Sequence, residues 1–288
     1  MTLIVSHAPD SYLNPVRLNT HTCPISDAVS LRVYSSTEPH NSKIAYLQKG
    51  LILVIGGAEA VGEGTGFGLP VLVYTDETYF SGSSKIHVSN RADCCIIWKE
   101  FTMDRVARNS FRNVALENHA ARGLITHLAN LYQKHPGFRF LTLKELTRRM
   151  SINKVFPKTE PIGNVTVTYK IDKSCITVSA DFKDLNRNGL QKIFMLNEQG
   201  SKLFRKYTDS KCTELMDKEI GAWDTVDGEW ACLKTLNGKF GFRLWNVKSS
   251  VLRRGREFLD GSLDWVGLDY EISRRGDVFG YAIDVLGV

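Results

Sequence analysis

Residues 233–245, LKTLNGKFGFRLW, decide the fold class of this chain. Two short apolar segments flank the dipeptide Asn237-Gly238, which readily adopts the positive φ values of a type I′ turn. The stretch therefore predicts a β-hairpin. Residues 165–169 and 175–179 repeat the pattern on either side of Asp172-Lys173. Because no helix separates these strands, the C-terminal half favours an antiparallel sheet over a parallel one.

The first hundred residues also read as short strands. Apolar or alternating runs separated by Gly, Asn, Ser and Pro occur at residues 31–34, 43–47, 51–55, 70–74 and 94–101. One of them, Leu51 to Ile55, has no polar face, so we expect it to be buried on both sides. The predicted fold is mainly β (α+β): a large antiparallel β-sandwich with a helical segment in the middle of the chain.

The middle of the chain has a helical period. Apolar residues recur at three- and four-residue spacing from Val114 to Tyr132, and His135-Pro136-Gly137 ends the pattern. Thr142 and Glu145 have capping-box spacing, which predicts a second short helix to about Met150. Whether this segment links two domains or packs on one continuous domain is open. The predicted regions are an N-terminal β region (1–111), a helical segment (112–151) and a C-terminal antiparallel β region (152–288).

Composition is that of an ordinary globular protein: 288 residues, 43% hydrophobic and 24% charged. The formal net charge of +6 is mild and spread along the chain, with its densest stretch at residues 248–256. Dedicated nucleic-acid modules concentrate more charge on one element, so nucleic acid is not the favoured partner. No apolar run approaches the roughly 20 residues of a membrane helix, so no membrane partner is expected.

The cysteines do not predict a metal site. None of the pairs has CxxC spacing, and adjacent Cys94 and Cys95 would face opposite sides of a strand. No cofactor motif is present, and the first residues have no basic region followed by a signal-type apolar segment. We therefore expect a cytoplasmic protein without a cofactor and with reduced thiols at its six cysteines, Cys23, Cys94, Cys95, Cys175, Cys212 and Cys232.

A glycine run precedes the strand at 70–74, with glycine at positions 62, 64, 66 and 68. On a strand, one face of this run is bare backbone that a strand, a ring or a sugar can approach closely. Phe67 replaces the third glycine of a dinucleotide fingerprint, and no Gly-Lys-Ser/Thr follows. The run predicts either a tightly packed or bulged strand, or a ligand surface on which Glu63 serves as a contact or a general acid/base.

A second cluster lies at residues 223–230, where two tryptophans and three carboxylates surround a turn. Sugar sites commonly combine aromatic faces with carboxylates that accept hydroxyl hydrogen bonds. The alternative is that the indoles are buried and the acids solvate a hairpin tip. The candidate ligand-binding residues are Trp223, Asp227, Trp230, Arg243 and Trp245, and the candidate catalytic residues are Glu63, Glu229 and His87.

This organisation resembles the large β-sandwiches of the galactose mutarotase-like superfamily. The resemblance is one of architecture: many antiparallel strands, one helical interruption, and aromatic and acidic residues at turns. That superfamily includes sugar epimerases and domains of polysaccharide-processing enzymes, and its members often use a glutamate base with histidine acids. The resemblance implies Glu63 or Glu229 together with His87 for those roles.

The leading functional prediction is binding or processing of a carbohydrate or related polyhydroxylated ligand, with an epimerase, lyase or hydrolase as the possible enzyme. The first alternative is a non-enzymatic assembly module whose glycine strand and sheet edges pair with another chain, including a homo-oligomer. The second alternative is nucleic-acid binding through the basic face at residues 243–256.

Overall fold

The computed structural model describes residues 19–35, 49–60, 65–75, 78–91, 93–106, 161–258 and 264–288. These residues form two antiparallel β-sheets and one short 3₁₀ helix, so the predicted predominantly β fold is confirmed. The helices predicted within residues 112–151, the strand predicted at 43–47 and the candidate Glu63 lie outside the described residues.

The smaller sheet is a four-stranded meander in chain order. The larger sheet has fourteen strands in the order β12-β11-β14-β15-β18-β9-β8-β7-β6-β5-β10-β17-β16-β13. A 3₁₀ helix, Asp217–Ile220, follows β12. The strands are β1 (Asn19–Pro24), β2 (Val29–Ser35), β3 (Ile52–Ile55), β4 (Ala58–Glu59), β5 (Gly66–Tyr74), β6 (Thr78–Asn90), β7 (Cys95–Val106), β8 (Asn164–Asp172), β9 (Cys175–Asp181), β10 (Leu190–Gly200), β11 (Phe204–Asp209), β12 (Glu214–Met216), β13 (Asp224–Thr225), β14 (Trp230–Thr235), β15 (Gly241–Trp245), β16 (Ser250–Phe258), β17 (Asp264–Ile272) and β18 (Val278–Leu286).

The large sheet encloses its core by packing on itself. Its strands alternate between buried and more exposed residues, as β8, β9 and β18 show most clearly. The ring of Phe67 on β5 packs edge-on against Phe242 on β15, with centroids 5.0 Å apart. Tyr270 on β17 likewise contacts Tyr281 on β18, 4.7 Å away. Strands distant in the sheet order therefore share one hydrophobic core.

The described part of the glycine run is tightly packed. Gly66 and Gly68 both have φ of +75°. A Cβ atom on Gly66 would lie 2.9 Å from the Leu51 carbonyl oxygen, and one on Gly68 would lie 2.9 Å from the Tyr169 hydroxyl. The register between β5 and β10 slips beside Gly68, which is a β-bulge. These two glycines therefore allow close packing, as the first of the two predictions for the run supposed.

A buried asparagine completes the bulge. The side-chain oxygen of Asn197 accepts hydrogen bonds from the Gly68 amide (3.1 Å) and the Tyr281 hydroxyl (2.7 Å). Its amide nitrogen donates to the carbonyl oxygens of Met195 and Leu268, each at 3.1 Å. The asparagine thus supplies the hydrogen bonds that the irregular backbone needs.

The described glycines give no support to the alternative in which the glycine strand pairs with another chain. Strand β5 lies inside the sheet: β10 pairs along one edge, and on the other edge Leu51 pairs with Phe67 and β6 pairs with Leu72 and Val73. Within the described chain, the edges of the large sheet are β12 and β13, of three and two residues. Short edge strands are one way in which proteins limit pairing with other chains.

A buried lysine joins the two sheets. Lys99 on β7 is fully buried, and its ammonium donates to the carbonyl oxygens of Tyr34, at the end of the small sheet's β2, and Lys49. Burial lowers the pKa of Lys99 to about 7. The lysine thus ties two backbone positions of the N-terminal region to the inner face of the large sheet.

The predicted hairpin at residues 233–245 is confirmed as β14 and β15, but the predicted type I′ turn is wrong. The Gly238 amide donates to the Thr235 carbonyl (2.8 Å), and within this turn only Gly238 has a positive φ, of 70°. The Asn237 side chain accepts a hydrogen bond from the Lys239 amide (3.0 Å). The connection is five residues long rather than two, so the chain does not need the tight I′ turn, and the local bond of Asn237 stabilises the longer loop.

Candidate functional site

Strands β14 and β15 bring three predicted residues together on the outer face of the large sheet. Trp230 and Trp245 lie directly opposite each other in the register. On β15, Phe242 and Leu244 are buried, so alternation directs Arg243 and Trp245 outward. Trp245 is 39% exposed. Period-two alternation and one hairpin are therefore sufficient to form this cluster.

Strand β18 adds a carboxylate that sequence reasoning missed. Asp284 is the register partner of Arg243. One of its oxygens, Oδ2, accepts from Nε of Arg243 at 3.0 Å and from Nε1 of Trp245 at 2.9 Å. Alternation within β18 points to an outward Asp284, but its partner depends on which strand lies beside it. We call Trp230, Arg243, Trp245 and Asp284 the tryptophan–arginine platform.

The arginine contacts both indoles. The guanidinium carbon of Arg243 lies 4.9 Å from the Trp245 ring centroid and 5.5 Å from that of Trp230. Both distances are within the range of a cation–π interaction. Nε is engaged by Asp284, whereas neither terminal nitrogen, Nη1 or Nη2, has a hydrogen-bond partner among the described residues. The platform therefore offers oriented donors beside exposed aromatic surface.

The backbone beneath the platform is fixed from the core. The hydroxyl of Tyr270 donates to the carbonyl oxygen of Trp245 at 2.5 Å. Tyr270 is fully buried and packs against the rings of Phe279 and Tyr281. Positions held in this way lose little conformational freedom when a ligand binds.

Two thiols flank the platform in the register. Cys232 is the partner of Arg243 on β14, and Cys175 is the partner of Asp284 on β9. Burial raises the pKa of Cys232 to about 11. Burial, and then the charges of Asp284 and Asp172, raise the pKa of Cys175. Both thiols are therefore protonated at neutral pH and are poor nucleophiles.

Two of the predicted carboxylates lie beside the platform. Asp227 and Glu229 are exposed and directly precede β14. The backbone of Glu229 donates to the Ser210 hydroxyl (2.7 Å) and accepts from the Asn246 amide (2.7 Å). These bonds position the chain next to Trp230.

Trp223 occupies a different part of the sheet. Its ring covers Gly255 on β16 and Gly267 on β17, which are register partners. A Cβ atom would lie 2.5 Å from the ring at Gly255 and 3.0 Å from it at Gly267. The indole therefore fills a surface that two glycines leave open, whereas Trp230 belongs to β14.

His87 lies far along the sheet from the platform. It is exposed on β6, opposite Trp98 on β7. Five strand spacings separate β6 from β15, which is about 24 Å along the sheet at ~4.8 Å each. His87 and Arg243 therefore do not form one small-molecule site. The pairing of Glu63 with His87 stays a prediction, because Glu63 lies outside the described residues.

The basic face proposed for nucleic acid is largely paired with carboxylates. Arg253 binds Glu271 at 2.6 Å and Arg256 binds Asp217 at 2.9 Å. A further pair joins Arg254 to Asp224 at 3.7 Å. Phosphate binding requires available cationic groups, so these pairs weaken that alternative.

The described residues contain no group of three or more His, Cys, Asp or Glu side chains arranged to hold a metal ion. None of their helices is long and apolar enough to span a membrane.

Comparison with protein families and with curated proteins finds no match for this chain. Among solved structures, the chain is similar to the Slr1438 protein from Synechocystis sp. PCC 6803, a structural genomics target. The alignment covers 100% of both chains, with 8% sequence identity and a TM-score of 0.39. This degree of similarity carries no argument about function, and the resemblance to the mutarotase-like superfamily stays a prediction.

Proposed function

We propose that the protein binds carbohydrate at the tryptophan–arginine platform. The observation that carries this proposal is the exposed Trp245 indole, whose Nε1 atom is held by Asp284 while Arg243 packs on its ring. The C–H face of a sugar ring stacks on an indole, and sugar hydroxyls bind to side-chain donors and acceptors alongside it. A fixed aromatic surface with adjacent polar atoms meets both needs.

Binding is favoured over cleavage. Glycoside hydrolysis needs two carboxylates on either side of the scissile bond. The platform contributes Asp284, whose Oδ2 atom is already bound by Arg243 and Trp245, and no side-chain contact among the described residues fixes the exposed Asp227 or Glu229 opposite it. Both neighbouring thiols have raised pKa values. The groups in place therefore suit recognition better than bond breaking.

The expected affinity is modest. Aromatic stacking contributes about 1 kcal/mol, and each hydrogen bond to a charged group contributes about 2 kcal/mol. One stacked ring and two such hydrogen bonds give about 5 kcal/mol before the cost of association, so the dissociation constant should be about 0.2 mM or weaker. Oligosaccharides that cover both indoles should bind more tightly than single sugars.

The experiment is isothermal titration calorimetry with β-1,4-linked tetrasaccharides of glucose, mannose and galactose. At least one should bind the native protein, and Trp245→Ala should weaken that binding by about tenfold. The matched control is Trp98→Ala, because Trp98 also lies on the outer face of the sheet, four strands from β15. Circular dichroism checks that each variant is folded. Absence of binding, or equal binding by both variants, would contradict the proposal.

A further inference from the structure

The charges of the platform are balanced within it. Arg243 and Asp284 form an ion pair at 3.0 Å, and their side chains are only 31% and 27% exposed. The Cys175 and Cys232 side chains that flank this pair are uncharged at neutral pH, because their pKa values are raised. The pair therefore presents polar atoms to a ligand without presenting net charge.

The ion pair of Arg243 with Asp284 retains both a hydrogen-bond acceptor and hydrogen-bond donors for a ligand. Oδ1 of Asp284 accepts no hydrogen bond within the described parts of the chain, and the terminal nitrogens of Arg243 donate none there. An ionised carboxylate only accepts, a guanidinium only donates, and a hydroxyl does both. Two neighbouring hydroxyls match this arrangement, because one can donate to Oδ1 while the next accepts from a terminal nitrogen.

An anionic group does not match it. A sugar carboxylate or sulfate can accept from Arg243, but it has no proton for Oδ1 of Asp284. Like charges brought to hydrogen-bonding distance in a partly buried place repel each other. The same Asp284 that orients Arg243 thus opposes an anion beside it, which is a common route to specificity.

We infer that the platform selects neutral sugars that present two adjacent hydroxyl groups and excludes uronic acids and sulfated sugars. This inference rests on the proposed function, since it assigns a ligand class to the same site. The hydroxyl pair bridges Oδ1 of Asp284 and a terminal nitrogen of Arg243, while the ring lies on Trp245. Asp284 is thereby a specificity-determining residue.

The test compares each β-1,4-linked glucose or mannose tetrasaccharide with its uronate counterpart by calorimetry. The two share the hydroxyl pair at C2 and C3 and differ at C6. Successive residues of a β-1,4-linked chain face opposite ways, so the C6 carboxylate of one residue lies beside the hydroxyl pair of its neighbour, where it would meet Asp284. The native protein should bind the neutral tetrasaccharide at least about tenfold more tightly. Methylation of both hydroxyls at C2 and C3 should abolish binding of the neutral ligand. A uronate that binds as tightly as its neutral parent overturns the inference, but leaves carbohydrate binding at the platform intact.

Asp284→Asn is the variant that best separates the two classes of ligand. The amide oxygen can take the place of Oδ2 and keep its bonds with Arg243 and Trp245, so that an N–H₂ donor replaces the acceptor Oδ1. Binding of the neutral tetrasaccharide should fall about fivefold, and binding of the uronate should rise by a similar factor. A fall for both ligands would overturn the selectivity argument.

Arg243→Gln is the complementary variant and covers the case in which Asp284→Asn does not fold. It removes the cation and leaves Asp284 charged, so it should weaken binding of the neutral tetrasaccharide and should not strengthen binding of the uronate. Gain of uronate binding by Arg243→Gln would overturn the inference. If the native protein binds no neutral tetrasaccharide and no uronate, the proposed function itself fails.

Discussion

Replacement of the buried Lys99 by methionine should change how the protein's stability depends on pH. Lys99 is fully buried, and burial lowers its pKa from the ordinary 10.5 to about 7. In the unfolded chain the amine is exposed to water and has its ordinary pKa. Between pH 7 and pH 10.5 the folded protein therefore binds fewer protons than the unfolded chain. Its stability must rise with pH across this window.

The size of the effect follows from the two pKa values. Each unit of pKa difference corresponds to about 1.4 kcal/mol. Linkage of a single group with these pKa values makes the native protein more stable at pH 9 than at pH 7 by about 2 kcal/mol. Lys99→Met removes this contribution. The carbonyl oxygens of Tyr34 and Lys49 lose their donor at every pH, so that loss shifts the whole curve without changing its slope.

The measurement is urea denaturation at pH 7, 8 and 9, comparing the native protein with Lys99→Met. The difference in free energy of unfolding between them should change by about 1 kcal/mol per pH unit. The control is Lys170→Met, because Lys170 is an exposed lysine on β8, and its curve should run parallel to that of the native protein. If Lys99→Met also runs parallel, then the ammonium keeps its charge in the folded state, and the reasoning from burial is refuted.

Three further predictions concern the packing of the core and the loss of stability at acid pH. In urea denaturation, Gly68→Ala should lower the free energy of unfolding by about 3 kcal/mol and Gly238→Ala by about 1 kcal/mol. Both glycines have a positive φ, but only a Cβ atom on Gly68 would lie within 3 Å of another atom. Equal losses of stability would contradict the argument from packing. Tyr281→Phe should cost about 1 kcal/mol in thermal unfolding, because Asn197 keeps its other hydrogen bonds, and a loss above about 3 kcal/mol would show a larger role. Asp217→Asn should reduce the loss of stability between pH 4 and pH 2, because two arginines lower the pKa of Asp217 to about 2. Partial exposure limits this effect to about 1 kcal/mol. An unchanged loss of stability between pH 4 and pH 2 would disprove it.

Part of the candidate site could be read from local pattern. Alternation between buried Phe242 and Leu244 predicts that Arg243 and Trp245 share the outward face, and the turn at residues 236–240 places Trp230 opposite Trp245. Asp284 could not be identified in this way. It lies 39 residues from Trp245 in the sequence, and the two meet only because β15 pairs with β18.

The two tryptophans at 223 and 230 show the limit of proximity along the chain. They are seven residues apart, and sequence reasoning placed them in one cluster. In the structure, the intervening residues pair with β16 and then enter β14, so Trp223 covers Gly255 and Gly267 instead. Spacing within a loop does not predict on which strand each end will pack.

The sequence by itself determined the predominantly β class, the major hairpins and the outward face of β15, because alternation and turn chemistry act over a few residues. The tertiary structure alone decided which strands are neighbours. It thereby decided the ion pair of Arg243 with Asp284, the packing of Gly68 against Tyr169 and the burial of Lys99. Those contacts join positions far apart in the chain, and strand order in a fourteen-stranded sheet is set by the packing of the whole core rather than by any local pattern.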